Sequence, residues 1–460
     1  MQATATSRLQ DFLLLIRLGL PILGAQLAQM GMGVVDTVMA GRVSAADLAG
    51  VAVGGAVMWP VIMGMMGVLQ AVTPSVSQLN GEGKRHEVGA LVRQALWMAL
   101  AAATLVAVLI NNAAPFYRLL EVDPAALKVT LPYLQMCTLG LPAIMIYFVF
   151  RFMCEGLGYT KPAMVVAISA LLLKIPLNYW FIHGGAGVPA MGGVGCGVAT
   201  AVVMWFECLA MLSIVLSKRY EETGWRSAFS WPDANRIFGL MRIGVPIGCA
   251  IFFEFALFTL MTILLGRFGA QVVAAHSIVM NIGGLTFMFP FALGMAATIR
   301  IGYYVGSRDL LSARRVGLLA VTTSLMLAVV MATLLYFCRS WIADLYSTDA
   351  AVTELAERLM LFIVGYMVFD NLQATAIGAL RGYKDTRVSM LVTLTGYWVV
   401  GLPVAVALGY GWFMAPMGAA GFWTGLTTAL VVVALASATR LWWLGRHPGA
   451  VLVLAAADHR

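Results

Sequence analysis

Two stretches of this chain, about 225 residues apart, repeat one message. Arg17-Leu18-Gly19-Leu20-Pro21 returns as Arg242-Ile243-Gly244-Val245-Pro246, and the same offset aligns Thr37 with Thr262, Gly41-Arg42 with Gly266-Arg267, Thr73 with Thr298 and Gly81 with Gly306. One residue more pairs Gly156 with Gly382, Thr160 with Thr386, Met191-Gly192 with Met417-Gly418 and Gly195 with Gly421. Self-similarity on this scale confines the chain to folds made of two copies of one unit.

What such units live in follows from composition. Of 460 residues, 61% are hydrophobic and 11% charged, and mean hydropathy is +0.89, so a soluble body of this size would lack the polar surface it needs. The apolar stretches run to about 20 residues, the length of a membrane-spanning helix, and not to the alternating ten or so of a barrel strand. Breaks at charged or Gly/Pro-rich segments leave twelve candidate spans, centred near Gln26, Gly55, Ala101, Leu139, Leu173, Met204, Phe253, Leu285, Leu327, Met367, Tyr397 and Leu430. The expectation is an all-α membrane protein of twelve helices in two pseudo-symmetric six-helix lobes, with an N-lobe over 1–216, a cytoplasmic linker over 217–235 and a C-lobe over 236–460.

Six spans per repeat is an even number, so both lobes should share one orientation, with the pseudo-twofold axis along the membrane normal. Lys84, Arg85, Arg93, Lys161, Lys218, Arg219, Arg226, Arg236, Arg242, Arg308, Arg314, Arg315, Lys384 and Arg387 gather in segments on one side. The other side shows only Arg42, Arg118, Lys128, Arg267, Arg339 and Arg358, which places both termini in the cytoplasm. The net charge of +8 is explained by these loops and calls for no nucleic-acid partner. The N-terminal segment shows no cleavable signal. The uncharged glycine-rich loops 184–197 and 409–421 read as tight turns with close helix approach. Six cysteines without CxxC spacing read as small buried hydrophobes.

A charge at a helix centre costs about 2.5–3.5 kcal/mol on insertion scales, so a carboxylate inside a span is a functional candidate from the outset. Four qualify: Asp36, Glu207, Glu254 and Asp370. Gln26, Gln29, Gly33 and Asp36 follow one another at spacings of three, four and three, on one face of the first span. Glu254 is repeat-equivalent to Gln29, and Met261 to Asp36, so equivalent helices use the same face with the acid about two turns apart. Asp370 stands four residues after Tyr366, which lets phenol and carboxylate bind one ion or proton together. Lys174, with Asn178 one turn on, needs a counter-charge, and Asp36 is the obvious candidate in the same lobe. Glu207 has no polar stripe beside it and reads equally well as structural, while His276 reads as a hydrogen-bonded packing residue.

These residues lie in segments that resemble the multidrug and toxic compound extrusion (MATE) family, in its NorM-type bacterial branch. They are Gly31-Met32-Gly33-Val34-Val35-Asp36-Thr37-Val38-Met39-Ala40-Gly41, Phe252-Phe253-Glu254, Arg381-Gly382-Tyr383-Lys384-Asp385 and Gly192-Gly193-Val194-Gly195-Cys196-Gly197-Val198-Ala199-Thr200. The likeness runs in order over essentially the whole chain. It implies the fold of the MOP superfamily and alternating access in a multi-pass protein of the bacterial inner membrane, a monomer among lipids without an organic cofactor. It also implies export of cationic amphipathic drugs against inflow of protons or sodium. The family's cation-linked residues map onto Asp36, Glu254, Tyr366 and Asp370, and its N-lobe polar cluster onto Asn178 and Thr200, with Gln29 on the same face.

One position departs from the family pattern. Where relatives carry asparagine beside the N-lobe cluster, this chain has Lys174, and a tethered ammonium occupies or repels the place of a bound cation. Protons are therefore the expected coupling ion, with Na⁺ still open at Glu254, Asp370 and Tyr366. An intramembrane enzyme would need a nucleophile with its base or a metal site, and the chain has no HExxH, GxSG or paired aspartyl motif. A lipid-linked precursor flippase of the same superfamily would need a cationic cavity for pyrophosphate, whereas the candidates here are mostly acidic.

Overall fold

The computed structural model describes residues 8–119, 123–185, 187–413 and 415–456. In chain order its helices are α1 (Arg8–Gly41), α2 (Ala45–Leu69), α3 (Val72–Gly81), α4 (Val88–Asn111), α5 (Ala114–Leu119), α6 (Pro124–Thr138), α7 (Leu141–Gly156), α8 (Lys161–His183) and α9 (Gly193–Val215). The second half holds α10 (Ala234–Leu265), α11 (Ala270–Gly306), α12 (Leu310–Tyr346), α13 (Ala350–Gly382), α14 (Thr386–Leu394), α15 (Leu402–Tyr410), α16 (Ala419–Leu444) and α17 (Pro448–Ala456). A π-helical turn over Thr395–Gly401 joins α14 to α15. The fold is all-α.

Among the described residues ten helices are long and apolar enough to cross a membrane, or eleven if α6 and α7, which meet at 50°, count as one span. Every expected centre except Leu139 falls inside a helix. Leu139 lands on the α6–α7 break, where Gly140 caps α7 and Pro142 in its first turn has no N–H to return to α6. The expected tenth span is α13, 33 residues long but not among the ten; between Arg358 and Arg381 its one charged residue is Asp370. Along α12, Leu318, Met326, Val329, Leu334 and Phe337 are all more than half exposed, an apolar stripe of the kind that faces lipid in a membrane-spanning helix.

The helices pack as two units, Leu20–Gly248, and Cys249–Arg460 together with Met1–Gly19. The division falls inside α1 and α10, near the repeat-equivalent Pro21 and Pro246, where a missing N–H weakens the helix. The lobes expected from span counting differ from these units by the start of α1, the segment 217–235 and the first half of α10. In the first unit, α10 begins against α2 so closely that a Cβ on Gly244 would lie 2.1 Å from the Val68 carbonyl oxygen. In the second, the start of α1 lies on α11 and α12: Tyr304 Oη donates to Asp11 Oδ1 at 2.8 Å, and Arg300 and Arg315 stand 3.6 and 3.7 Å from the same carboxylate. The segment 217–235 is bound along α4. Arg93 Nη1 donates to the Gly224 carbonyl at 2.8 Å, Trp97 Nε1 to that of Ser230 at 3.1 Å, and Asp233 N to Gln94 Oε1 at 2.8 Å.

The repeat is visible in local chemistry. Asp123 and its equivalent Asp349 each cap a helix, accepting from Ala125 N and Ala351 N at 2.9 Å. Gly192 and Gly418, which cap α9 and α16, share φ +57° with ψ −138° and −135°. The two copies differ at the tight turn after α3 and α11: Gly83 sits at φ +77°, while its equivalent Arg308 holds φ +61°. A side chain in the left-handed region costs roughly 1–2 kcal/mol. Arg308→Gly is therefore expected to stabilise the folded protein by about 1 kcal/mol, read from unfolding in mixed detergent micelles; no gain, or a loss, contradicts the strain argument.

Candidate functional site

In the unit Leu20–Gly248, α1, α8 and α9 bring four polar side chains to one buried point. Asp36 Oδ2 is 2.8 Å from Lys174 Nζ, and Asp36 Oδ1 accepts from Asn178 Nδ2 at 2.8 Å. Lys174 Nζ also donates to Thr200 Oγ1 at 2.8 Å, and Thr200 Oγ1 in turn donates to the Cys196 carbonyl at 2.7 Å. Asp36, Lys174, Asn178 and Thr200 are each at most 3% exposed. Helical spacing explains the convergence: Lys174 and Asn178 are one turn apart on α8, as Cys196 and Thr200 are on α9. With an ammonium on one carboxylate oxygen and an amide on the other, the Asp36 charge is matched within the protein.

Nearer the start of the same α1 face lies a second cluster. Gln26 Oε1 accepts from Arg151 Nη2 at 3.0 Å, and Arg151 Nε pairs with Glu155 Oε1 at 2.8 Å. Gln29 Nε2 donates to Glu207 Oε1 at 2.7 Å. Arg151, Glu155 and Glu207 are all buried. The face predicted from Gln26, Gln29 and Asp36 is thus tied at three levels, to α7, to α9, and to α8 with α9.

In the other unit Glu254 Oε1 accepts from Tyr397 Oη at 3.2 Å, and Tyr397 Oη also meets the Gln373 amide, at 2.9 Å from its nitrogen. The π-helical turn carries Tyr397; such turns re-aim a side chain that an unbroken helix would point elsewhere. Asp370 feels the charge of Glu254, and Glu254 that of Arg381. Tyr366 and Asp370 interact electrostatically, but no hydrogen bond joins them among the described residues. Tyr366 instead stacks on Trp423, with ring centroids 6.2 Å apart and planes at 7°. His276 Nε2 is 3.1 Å from Thr262 Oγ1 and its ring meets the edge of Trp423 at 5.5 Å, as a packing residue would.

The residues singled out from sequence therefore fall into three groups: Asp36, Lys174, Asn178 and Thr200 together, Gln29 with Glu207, and Glu254 near Asp370 and Tyr366. Sequence reasoning missed Arg151 and Glu155, because centring the fourth span on Leu139 left them outside it. Their i,i+4 spacing in an otherwise apolar run was the available signal. Gln373, three residues after Asp370, was likewise readable as sharing its face. Tyr397 was not, since its aim depends on the π turn.

Comparison with known proteins returns the internal repeat. The family model MatE matches residues 21–180 and again 246–407, two copies at the spacing of the internal repeat. The multidrug resistance protein PmpM of Pseudomonas aeruginosa is 44% identical over 433 residues, covering 93% of this chain and 90% of that protein. The multidrug resistance protein MdtK of Yersinia enterocolitica is 40% identical over 446 residues, 96% of this chain and 98% of that protein. Among solved structures, the MATE transporter NorM-NG in complex with a dye and a monobody aligns with a TM-score of 0.80 at 32% identity, over 95% of this chain and 94% of that one. The Vibrio cholerae MATE transporter VcmN in its bent form aligns with a TM-score of 0.85 over 96% of this chain and 99% of that one, at 16% identity, a likeness of fold alone.

Proposed function

The chain belongs to the MATE family, and from that premise we propose that it exports cationic amphipathic drugs across the bacterial inner membrane by antiport, using alternating access driven by protons. The Asp36–Lys174 pair at 2.8 Å is the observation that carries proton coupling. A sodium ion entering this cluster would meet a fixed ammonium about 4 Å away, a repulsion of roughly 4 kcal/mol at an effective dielectric of 20. A proton meets no such obstacle. Protonating Asp36 opens the pair, and an element with a closed and an open arrangement is what a pH gradient can bias. Glu254, Asp370 and Tyr366 supply the cation-responsive site of the other unit.

The buried cations of the unit Leu20–Gly248 also speak against a pyrophosphate-carrying flippase. Lys174 and Arg151 each have a carboxylate at 2.8 Å, so neither offers free positive charge to an anionic headgroup. The test uses proteoliposomes in which proton and sodium gradients are imposed separately. Drug accumulation should follow the proton gradient at constant sodium. Accumulation that follows only sodium, at constant pH, would overturn the coupling and transfer the ion to Glu254, Asp370 and Tyr366.

A further inference from the structure

The buried charges of the unit Leu20–Gly248 do not cancel. Asp36 is matched by Lys174 and Glu155 by Arg151, each at 2.8 Å, whereas Glu207, 2% exposed, takes part in no ion pair among the described residues. Its one hydrogen-bond partner is neutral, the Gln29 amide at 2.7 Å. The groups facing it are Gln29 on α1, Arg151 and Tyr147 on α7, and Lys174 on α8; both cations are already committed to other carboxylates. A buried carboxylate without a counter-ion must hold a proton or acquire a cation from outside.

Two further features suit Glu207 to exchange one for the other. An amide serves both states of a carboxyl group: its NH₂ donates to the carboxylate, and after a 180° turn its oxygen accepts from the acid. Neither Lys174 nor Arg151 can do this, having no acceptor. Second, Gln29 is the repeat-equivalent of Glu254. Glu207 therefore delivers from α9, onto Gln29, the acid that the other half carries on α10 itself.

We propose that Glu207 is a second exchangeable carboxylate of this half, releasing its proton when a lipophilic cation binds and retaking one when the cation leaves. The proposal rests on the proton-coupled reading above and adds to it the residue that exchanges. Because Gln29 and Asp36 share one face of α1, ionisation of Glu207 and opening of the Asp36–Lys174 pair are felt by the same helix.

The test counts protons. Full-length protein in weakly buffered detergent is titrated with tetraphenylphosphonium, and the acid released per bound cation is measured. Glu207→Gln should release about one proton fewer than wild type, and Glu207→Asp should restore it; a merely structural role for Glu207 would not move this count. Equal release from wild type and Glu207→Gln overturns the proposal while leaving proton coupling intact. Binding with no release from wild type overturns both. A second measurement needs no variant: dicyclohexylcarbodiimide, which attacks protonated carboxyls in apolar surroundings, should label Glu207 in wild type, and tetraphenylphosphonium should suppress the label. An unlabelled Glu207 overturns the proposal even if the glutamine variant fails to fold.

Discussion

Lys174→Met is expected to destabilise the protein by about 3–5 kcal/mol at neutral pH, because it removes one partner of a buried pair and strands the other. Asp36 would keep Asn178 at 2.8 Å and a long contact from Thr200 Oγ1 at 3.5 Å, but these neutral donors cannot replace an ammonium around a carboxylate that is 3% exposed. Adding Asp36→Asn to the same chain should recover most of the loss, since the double variant buries no charge at this point. The loss in the single variant should also shrink as pH falls, because protonating Asp36 removes the stranded charge. Reversible unfolding in mixed micelles, run as a double-mutant cycle at two pH values, measures all of this. Independent, additive effects of the two substitutions would mean that the pair does not act as a unit.

Glu254→Gln and Asp370→Asn should each abolish drug accumulation, bringing the ratio across proteoliposomes to that of empty vesicles, while leaving the protein inserted and folded. The structure gives the reason for the second half of that statement. Glu254 is held by neutral groups, the Tyr397 hydroxyl at 3.2 Å and the Gln373 amide, which a glutamine side chain can also meet, and Asp370 is in no ion pair among the described residues. Neither acid is in an ion pair among the described residues, in contrast to Asp36, which Lys174→Met leaves without its ammonium. Wild-type accumulation by either variant would remove its carboxylate from the coupling site. A variant that misfolds would instead assign that acid a structural task.

The duplication, the helical class and the buried face of α1 were legible because they are periodic: an offset in glycines and prolines, runs of about 20 apolar residues, spacings of three and four. The Asp36–Lys174 pair was legible for a different reason. Two opposite charges in apolar spans of one lobe leave each other few alternatives. What stayed hidden lay where the period breaks. The α6–α7 bend placed Arg151 and Glu155 in buried space beyond the span drawn through Leu139, and the π turn aimed Tyr397 at Glu254. Glu207 was noticed as an acid without a polar stripe, yet its partner was across the interface with α1. Contacts between helices follow no period along the chain.

The position of the boundaries between the two packed units bears on how such a chain can be built and divided. Each half, taken as a stretch of sequence ending at the 217–235 segment, is missing a piece of its own body. The unit Leu20–Gly248 needs the first turns of α10, with Gly244 seated on Val68, and the other needs the first turns of α1, with Asp11 under Tyr304. A gene cut in the middle would therefore encode two incomplete bodies, each carrying the part the other lacks. Duplication has produced two copies that are no longer separable: they exchange helix ends, so during synthesis the first body closes only once the second copy has begun to emerge, and the second closes onto a segment made before anything else.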